Sequence, residues 1–369
     1  MGVTVSATGL FEGRALRATR APRETTARRL SGIAVVGLGY WGPNWVRNLV
    51  ALQAASRLAV CDYDPLRRAR AASLYPNVET AGCLEQVLDD SEIEGVIVAT
   101  PVSTHYPIAR QVLEAGKSVL VEKPLATSVR QAAELVELAR RKGQVLMVGH
   151  TFEYSAPVLK AQALIADGEL GEVFYLSSVR ANLGLFQQDV NVAWDLATHD
   201  VSIALFLLGQ VPQTVSCQGR AHYRPDVEDV AMLTMDFGCG LVAFIHASWL
   251  DPNKVRRTTI VGSRQMLVYD DTAASDKIRL YDKGVSIDSY RDVYDDFQFA
   301  YRQGDIRIPR VEEWEPLSLE CQHFIDCVRR RAVPRTDGLN GLRVVSVLEA
   351  AQSSLRRGGI PVPVEIPRI

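Results

Sequence analysis

Nowhere in this chain does an apolar run reach the roughly 18 residues that a membrane-spanning helix needs. The longest candidate, VSIALFLLG at 201–209, is far too short and follows Asp195, His199 and Asp200. No membrane partner is expected. Net charge is lacking as well: 41 Lys and Arg against 43 Asp and Glu leave a formal −2, which gives no reason to expect nucleic acid. Cysteine is sparse, with 6 residues at 61, 83, 217, 239, 321 and 327, and none forms a CxxC pair. That excludes a disulfide framework and points to small core thiols in a reduced, cytoplasmic setting. Metal-ligand motifs are missing too. There is no HExxH, and Asp195, His199 and His246 make too thin a set, so no metal is expected.

What is present suits a globular protein: 47% hydrophobic and 23% charged residues in a chain of 369, long enough for two domains. Residues 1–30 stand apart. Arg14, Arg17, Arg20, Arg23, Arg28 and Arg29 face only Glu12 and Glu24, and no apolar core follows them, so a flexible basic extension is expected rather than a secretory signal.

From Gly32 the rhythm changes. GIAVVG, RLAVCDYD, EIEGVIVATP, KSVLVEKP and QVLMVGHTF read as buried strands, separated by helical patterns of roughly 10–15 residues, the first over about 42–55. This predicts an α/β protein whose first domain, 31–152, is a parallel doubly wound sheet. A second domain follows over 153–369. In it EVFYLSSVRANLG, DVAMLTMDFG, GLVAFIHASWL, VRRTTIVGS and QMLVYDD are strand candidates, and ECQHFIDCVRR and LNGLRVVSVLEAAQSSLRRGG are helices. The last helix of the first domain is open to extension by residues of the second.

The glycines of VVGLGYWG follow a strand and open a helix. Gly37 permits the tight turn, Gly39 lets the backbone approach a pyrophosphate, and Gly42 allows close helix–sheet packing. Asp62, 25 residues beyond Gly37, ends the second strand, where a carboxylate accepts ribose hydroxyls and repels a 2′-phosphate. NAD is therefore the expected cofactor, with Arg67 and Arg68 the features that would soften that choice. Tyr40 and Trp41 follow the turn and are placed at the cofactor; Trp45, one turn on, is read as core.

Two constellations carry chemistry. VEKP brings Glu122 and Lys123 to a strand's carboxyl end, which borders the ligand crevice in an open sheet. WDLATHD sets Asp195 and His199 four apart, on one face if the segment is helical, while Asp200 turns away as a cap or ion-pair partner. Imidazole can exchange the proton that accompanies hydride movement, and the carboxylate can orient it. Arg180, Asn182 and Asn191, with Asp189 nearby, can bind a polyol or carboxylate. A surface pair and a satisfied core histidine remain the structural alternatives.

Together, VVGLGYWG, VATPVSTH, VEKP and NLGLFQQDVNVAWDLATHD resemble the glucose–fructose oxidoreductase/inositol dehydrogenase (Gfo/Idh/MocA) family over about residues 31–358. The resemblance implies a Rossmann domain followed by an α/β domain with a large open mixed sheet, self-association as a homodimer or homotetramer, and a sugar substrate. It implies catalytic roles for Lys123, Asp195 and His199, and cofactor contacts from Thr100, Pro101, His105, Glu122 and Lys123. Within the family, GLGYWGPNWVRN and LGLFQQDVNVAWDLATHD are most similar to UDP-N-acetylglucosaminuronic acid 3-dehydrogenases. The implied reaction is oxidation of a sugar 3-hydroxyl on a nucleotide-linked amino or uronic sugar. An aminoglycoside or free amino sugar, a 3-ketoreductase reaction, an NAD-dependent glycoside hydrolase and a non-catalytic dinucleotide-binding protein stay open.

Overall fold

The computed structural model describes residues 30–53, 55–187, 189–288 and 298–369. Of the expected basic extension, only Leu30 falls among them. It is buried, pairs with Ala55 and opens β1 (Leu30–Val36), two residues ahead of the expected strand. The next helix, α1 (Gly42–Leu52), stops short of residue 55 because Gln53 turns left-handed at φ 47° and β2 (Ala55–Cys61) must begin. The alternation continues through α2 (Pro65–Leu74), β3 (Glu79–Ala81), α3 (Leu84–Leu88), β4 (Ile93–Val98), α4 (His105–Glu114), β5 (Ser118–Glu122), α5 (Val129–Lys142) and β6 (Leu146–Gly149).

The six strands pair in parallel in the order β3-β2-β1-β4-β5-β6. Strand order reverses between β1 and β4, so the crevice beyond their carboxyl ends is the ligand position of such sheets. Side chains explain why these strands read as continuous apolar runs. Ile33, Val35, Val60, Ile97, Leu120 and Met147 enter one core, while their neighbours Ala34, Val36, Ala59, Val98, Val121 and Val148 enter the core on the opposite face.

The chain then forms α6 (Ala156–Ala166), β7 (Val173–Ala181), a π-turn (Ala193–Ala197), α7 (Thr198–Leu208), β8 (Thr214–Arg220), β9 (Val230–Gly238), β10 (Leu241–Ser248), β11 (Val255–Gly262), β12 (Met266–Asp270), β13 (Ile278–Asp288) and β14 (Gln298–Arg307). With β15 (Val362–Pro363) these strands make a 9-stranded mixed sheet, ordered β14-β13-β12-β11-β7-β10-β9-β8-β15. The β7–β10 pair is parallel and the other pairs are antiparallel. Along β9, Ala231, Leu233, Met235 and Phe237 face the core while Met232 is exposed. Phe174 and Tyr175 on β7 and Phe244 on β10 are likewise exposed.

Chain order and packing part company near the C-terminus. Helix α8 (Pro316–Arg330) lies against α1 and β4 of the first sheet, not on the second. Its Phe324 is fully buried in the same core as Ile33 and Val35. Gly95 makes room for it, since a Cβ there would stand 3.2 Å from the phenylalanine ring. Helix α9 (Gly338–Arg356) spans both units, touching α5 and β6 on one side and α7 and β8 on the other. No helix among the described residues is long and apolar enough to cross a membrane.

Candidate active site

The β1–α1 turn is built as a cradle. Gly37 has φ +94°, and a Cβ on it would meet Ala99 O and Thr100 Cγ2, both at 2.7 Å. A Cβ on Gly39, by contrast, would meet nothing within 4 Å. The fold makes no demand for glycine at 39, and the open space it leaves fits the close approach of a phosphate. As at α3, α4, α6, α7 and α8, no side chain caps the N-terminus of α1. That leaves the positive end of its dipole toward the open space.

Asp62 stands beside this turn, almost fully buried. Its Oδ2 accepts the Leu38 N–H at 2.7 Å and its Oδ1 the Asp64 N–H at 2.9 Å. Arg67 Nη1 lies 3.5 Å from Oδ2, and Arg68 donates to the Asp62 carbonyl. Both arginines reach back to the aspartate, Arg67 while remaining exposed to solvent. Tyr40 and Trp41 are exposed at the mouth, edge to face at 5.8 Å.

The loop after β4 is locked to the loop after β5 by His105. Its buried ring contacts Pro124 O at 2.8 Å and Thr100 O at 2.9 Å, and burial lowers its pKa. Thr104 Oγ1 donates to Pro101 O at 2.7 Å and accepts from Thr100 Oγ1 at 2.7 Å. Glu122 points inward and accepts the Trp45 indole N–H at 2.7 Å. Its burial raises the carboxyl pKa, opposed by that hydrogen bond. Trp45 is core as expected, and its N–H is what the buried carboxyl needs.

Lys123 reaches the other way. Its Nζ donates to Asp195 O at 2.9 Å and to Asp195 Oδ1 at 3.2 Å, joining the end of β5 to the segment before α7. The Asp195 segment is a π-turn, not the regular helix expected, and the extra residue in its turn re-aims Asp195 relative to His199. The Asp195 Oδ2 accepts the Trp249 indole N–H at 3.0 Å. His199 packs edge-on against Phe152 at 5.0 Å, and Arg180 lies over the Phe152 ring at 4.5 Å. Burial first, then Lys123, Arg180, His150 and Arg256, hold His199 well below the usual imidazole range. It is therefore neutral, in the state that accepts a proton.

The residues expected to meet substrate differ in what they touch. Arg180 is almost fully buried, with Nε 2.5 Å from Asp200 Oδ2, so Asp200 is its ion-pair partner. Asn191 gives its amide to Glu228 and Gln352 and accepts the Trp194 N–H, bracing the π-turn. Asn182 is half-buried beside Gly184, and Asp189 is exposed. His150 was missed by sequence reasoning. It follows β6 as Lys123 follows β5, so the strand-end rule that flagged one applies to the other. Neither ring nitrogen of this buried histidine has a partner among the described residues, and burial, with Lys123 nearby, pushes its pKa down to about 3. Trp249, just beyond β10, was missed as well.

A glycine turn at an uncapped helix beside an acidic strand end is the arrangement of an NAD-binding Rossmann domain, and the chain is an NAD-dependent oxidoreductase. The family profiles agree: "oxidoreductase family, NAD-binding Rossmann fold" matches residues 31–150 and "GFO/IDH/MocA C-terminal domain" matches 158–268. The chain belongs to the Gfo/Idh/MocA family, and sugar and polyol dehydrogenases are among its named relatives. One is scyllo-inositol 2-dehydrogenase (NAD(+)) of Bacillus subtilis, 28% identical over 348 residues, covering 91% of this chain and 96% of the relative. GenD2 from gentamicin A biosynthesis, solved with NAD, superposes with a TM-score of 0.78 at 25% identity, covering 94% of this chain and 100% of that one. UDP-N-acetylglucosamine 3-dehydrogenase GnnA of Acidithiobacillus ferrooxidans shares the fold, with TM-score 0.72 at 22% identity over 88% and 97% of the two chains.

Proposed function

We propose that the protein oxidises the 3-hydroxyl of an amino or uronic sugar to a 3-keto sugar. The observation that carries this reading is the Lys123–Asp195 contact across the two sheets, beside a neutral His199. NAD supplies the hydride acceptor. Lys123 hydrogen-bonds the reacting hydroxyl, His199 takes its proton, and Asp195 orients the lysine. The balance is CH–OH plus NAD+ giving C=O, NADH and one proton. Gly39, in the turn shaped by Gly37 and Gly42, would lie against the pyrophosphate, and Asp62 would take the adenosine ribose.

A nucleotide-linked sugar is the first reading for the carrier, from the similarity of the catalytic segments to 3-dehydrogenases of that class. An aminoglycoside is the second, supported by the likeness to GenD2 and by an aromatic rim at Phe186 and Tyr223. The exposed apolar face at Tyr175, Met232 and Phe244 supports self-association. Six free cysteines fit a reducing, cytoplasmic location.

The test is NADH formation on a panel of UDP-N-acetylglucosaminuronic acid, UDP-N-acetylglucosamine, paromamine and scyllo-inositol. Lys123→Ala and His199→Ala are expected to lose about 10²- to 10⁴-fold in turnover while still binding NAD. Near-wild-type turnover by either variant would remove that residue from the mechanism, and release of free sugar from a glycoside without net NADH would favour a hydrolase.

A further inference from the structure

Trp249 occupies the point where three segments around the site converge. Its backbone N–H donates to Asp229 O at 2.9 Å, and its carbonyl accepts the Gly184 N–H at 3.0 Å. Gly184 has to be glycine for that approach, since a Cβ would stand 2.9 Å from Trp249 Cδ1. The indole is 1% exposed, so its N–H has no access to water, and the Asp195 carboxylate is its acceptor. Beyond it, Phe186 packs on the indole at 5.2 Å, and Tyr223 packs on Phe186 at 5.5 Å. Asp229 fixes the Tyr223 end as well, because its carboxylate accepts the N–H groups of His222 and Tyr223. A continuous aromatic chain therefore runs from the exposed rim to the catalytic aspartate.

The hydrogen-bond count at Lys123 gives this chain a purpose. A lysine head carries three N–H donors, and two of them are taken by Asp195 O and Oδ1. Only the remaining one is free for a substrate hydroxyl, and its direction follows from where Asp195 holds the other two. A carboxylate tethered only by Lys123 would rotate about its own side-chain bonds and turn the free position with it. The second oxygen, held by Trp249, prevents that rotation.

We propose that Trp249 is a positioning residue for the oxidation: its indole N–H fixes the Asp195 carboxylate against Lys123 and couples it to the substrate-side segment 182–187. This inference rests on the acid–base assignment above.

Two substitutions separate the N–H from the ring. Replacing Trp249 by 3-benzothienylalanine keeps the bicyclic shape and puts sulfur in place of the N–H, whereas Trp249→Phe also removes volume. On whichever panel sugar is turned over fastest, the benzothienyl enzyme is expected to lose roughly ten- to a hundred-fold in kcat, with KM and NAD affinity within about twofold of wild type. Phe186→Ala, on the rim side, is expected to raise KM more than it lowers kcat. A benzothienyl enzyme with wild-type kcat overturns the proposal. Lys123→Ala, run alongside, keeps the two readings apart, because wild-type turnover there defeats the acid–base assignment itself. A readout that needs no sugar is the Trp249 indole ¹⁵N–¹H resonance of the NAD-loaded protein, assigned by its loss in Trp249→Phe. It is expected to be protected from exchange in wild type and in Lys123→Ala, and to shift and lose protection in Asp195→Ala. A resonance indifferent to Asp195 overturns the proposal as well.

Discussion

Gly42 sits so close to Gly37 that a Cβ added to it would stand 1.9 Å from the Gly37 carbonyl oxygen. The obstacle is backbone, so no side-chain rotation relieves it. Gly42→Ala is therefore expected to destabilise the first domain by a few kcal/mol or prevent folding. Gly39→Ala meets no protein atom and should keep the wild-type melting temperature, while weakening NAD binding by about tenfold or more. Thermal melts and calorimetry on the two variants decide this. Equal effects on stability would refute the division of labour between the two glycines.

Arg180 and Asp200 form an almost fully buried pair, and Asp200 also accepts the Ser178 hydroxyl at 2.6 Å. Removing one partner strands the other charge. Arg180→Ala is expected to cost about 3–5 kcal/mol, and pairing Arg180→Met with Asp200→Leu should restore most of it. Chemical denaturation measures both. If Arg180 acted only on substrate, Arg180→Ala would alter KM and leave the denaturation midpoint in place.

The contrast between these two cases shows what sequence alone could reach. The glycine turn, the acidic end of β2 and the lysine at the end of β5 were legible because local spacing and strand periodicity determine them. Arg180's partner lies 20 residues along the chain and Trp249's acceptor 54 residues away, and no local pattern records such a pairing. The π-turn was hidden for a related reason: WDLATHD has helical spacing, and the extra residue in its turn is set by packing. Strands β8, β13 and β14 escaped notice, and so did the return of α8 to the first sheet. Its apolar face reads the same whichever sheet it covers.

Two buried groups beneath the site make stability depend on pH with opposite signs. Burial pushes Glu153 up from 4.5 to about 7, although Ser202 and Asn340 donate to it. The folded state then holds a proton that the unfolded chain releases, so this contribution is full below pH 4.5 and is lost as pH rises through about 7. His150 is pushed down from 6.5 to about 3. Its contribution is full above pH 6.5 and is lost as pH falls toward 3, by about 1.4 kcal/mol per unit within that window. Glu153→Gln should therefore flatten the decline in melting temperature between pH 5 and 7, and His150→Asn the decline between pH 6 and 4. Parallel melting curves for wild type and both variants would show that neither group carries the dependence.

The last expectation concerns the choice of cofactor. Asp62 presents a buried carboxylate beside the glycine turn, and it also holds Arg67 at 3.5 Å and the head of Arg68 through its carbonyl. With the carboxylate present, a 2′-phosphate meets a fixed negative charge at low dielectric, and the arginine that would welcome it is already engaged. Substituting Asp62→Ser removes the charge, leaves Arg67 held only by Asp64 at 3.5 Å, and gives the turn a shorter hydroxyl. NAD affinity should fall by roughly tenfold and NADP affinity should rise, with the gain shrinking at high salt because the new attraction is between partly exposed charges. Adding Arg67→Ala should then take away the NADP gain without restoring NAD. Calorimetric titration of both cofactors against the single and double variants measures each step. A ratio of NAD to NADP affinity that stays within about twofold of wild type in Asp62→Ser would mean that discrimination lies elsewhere in the cleft.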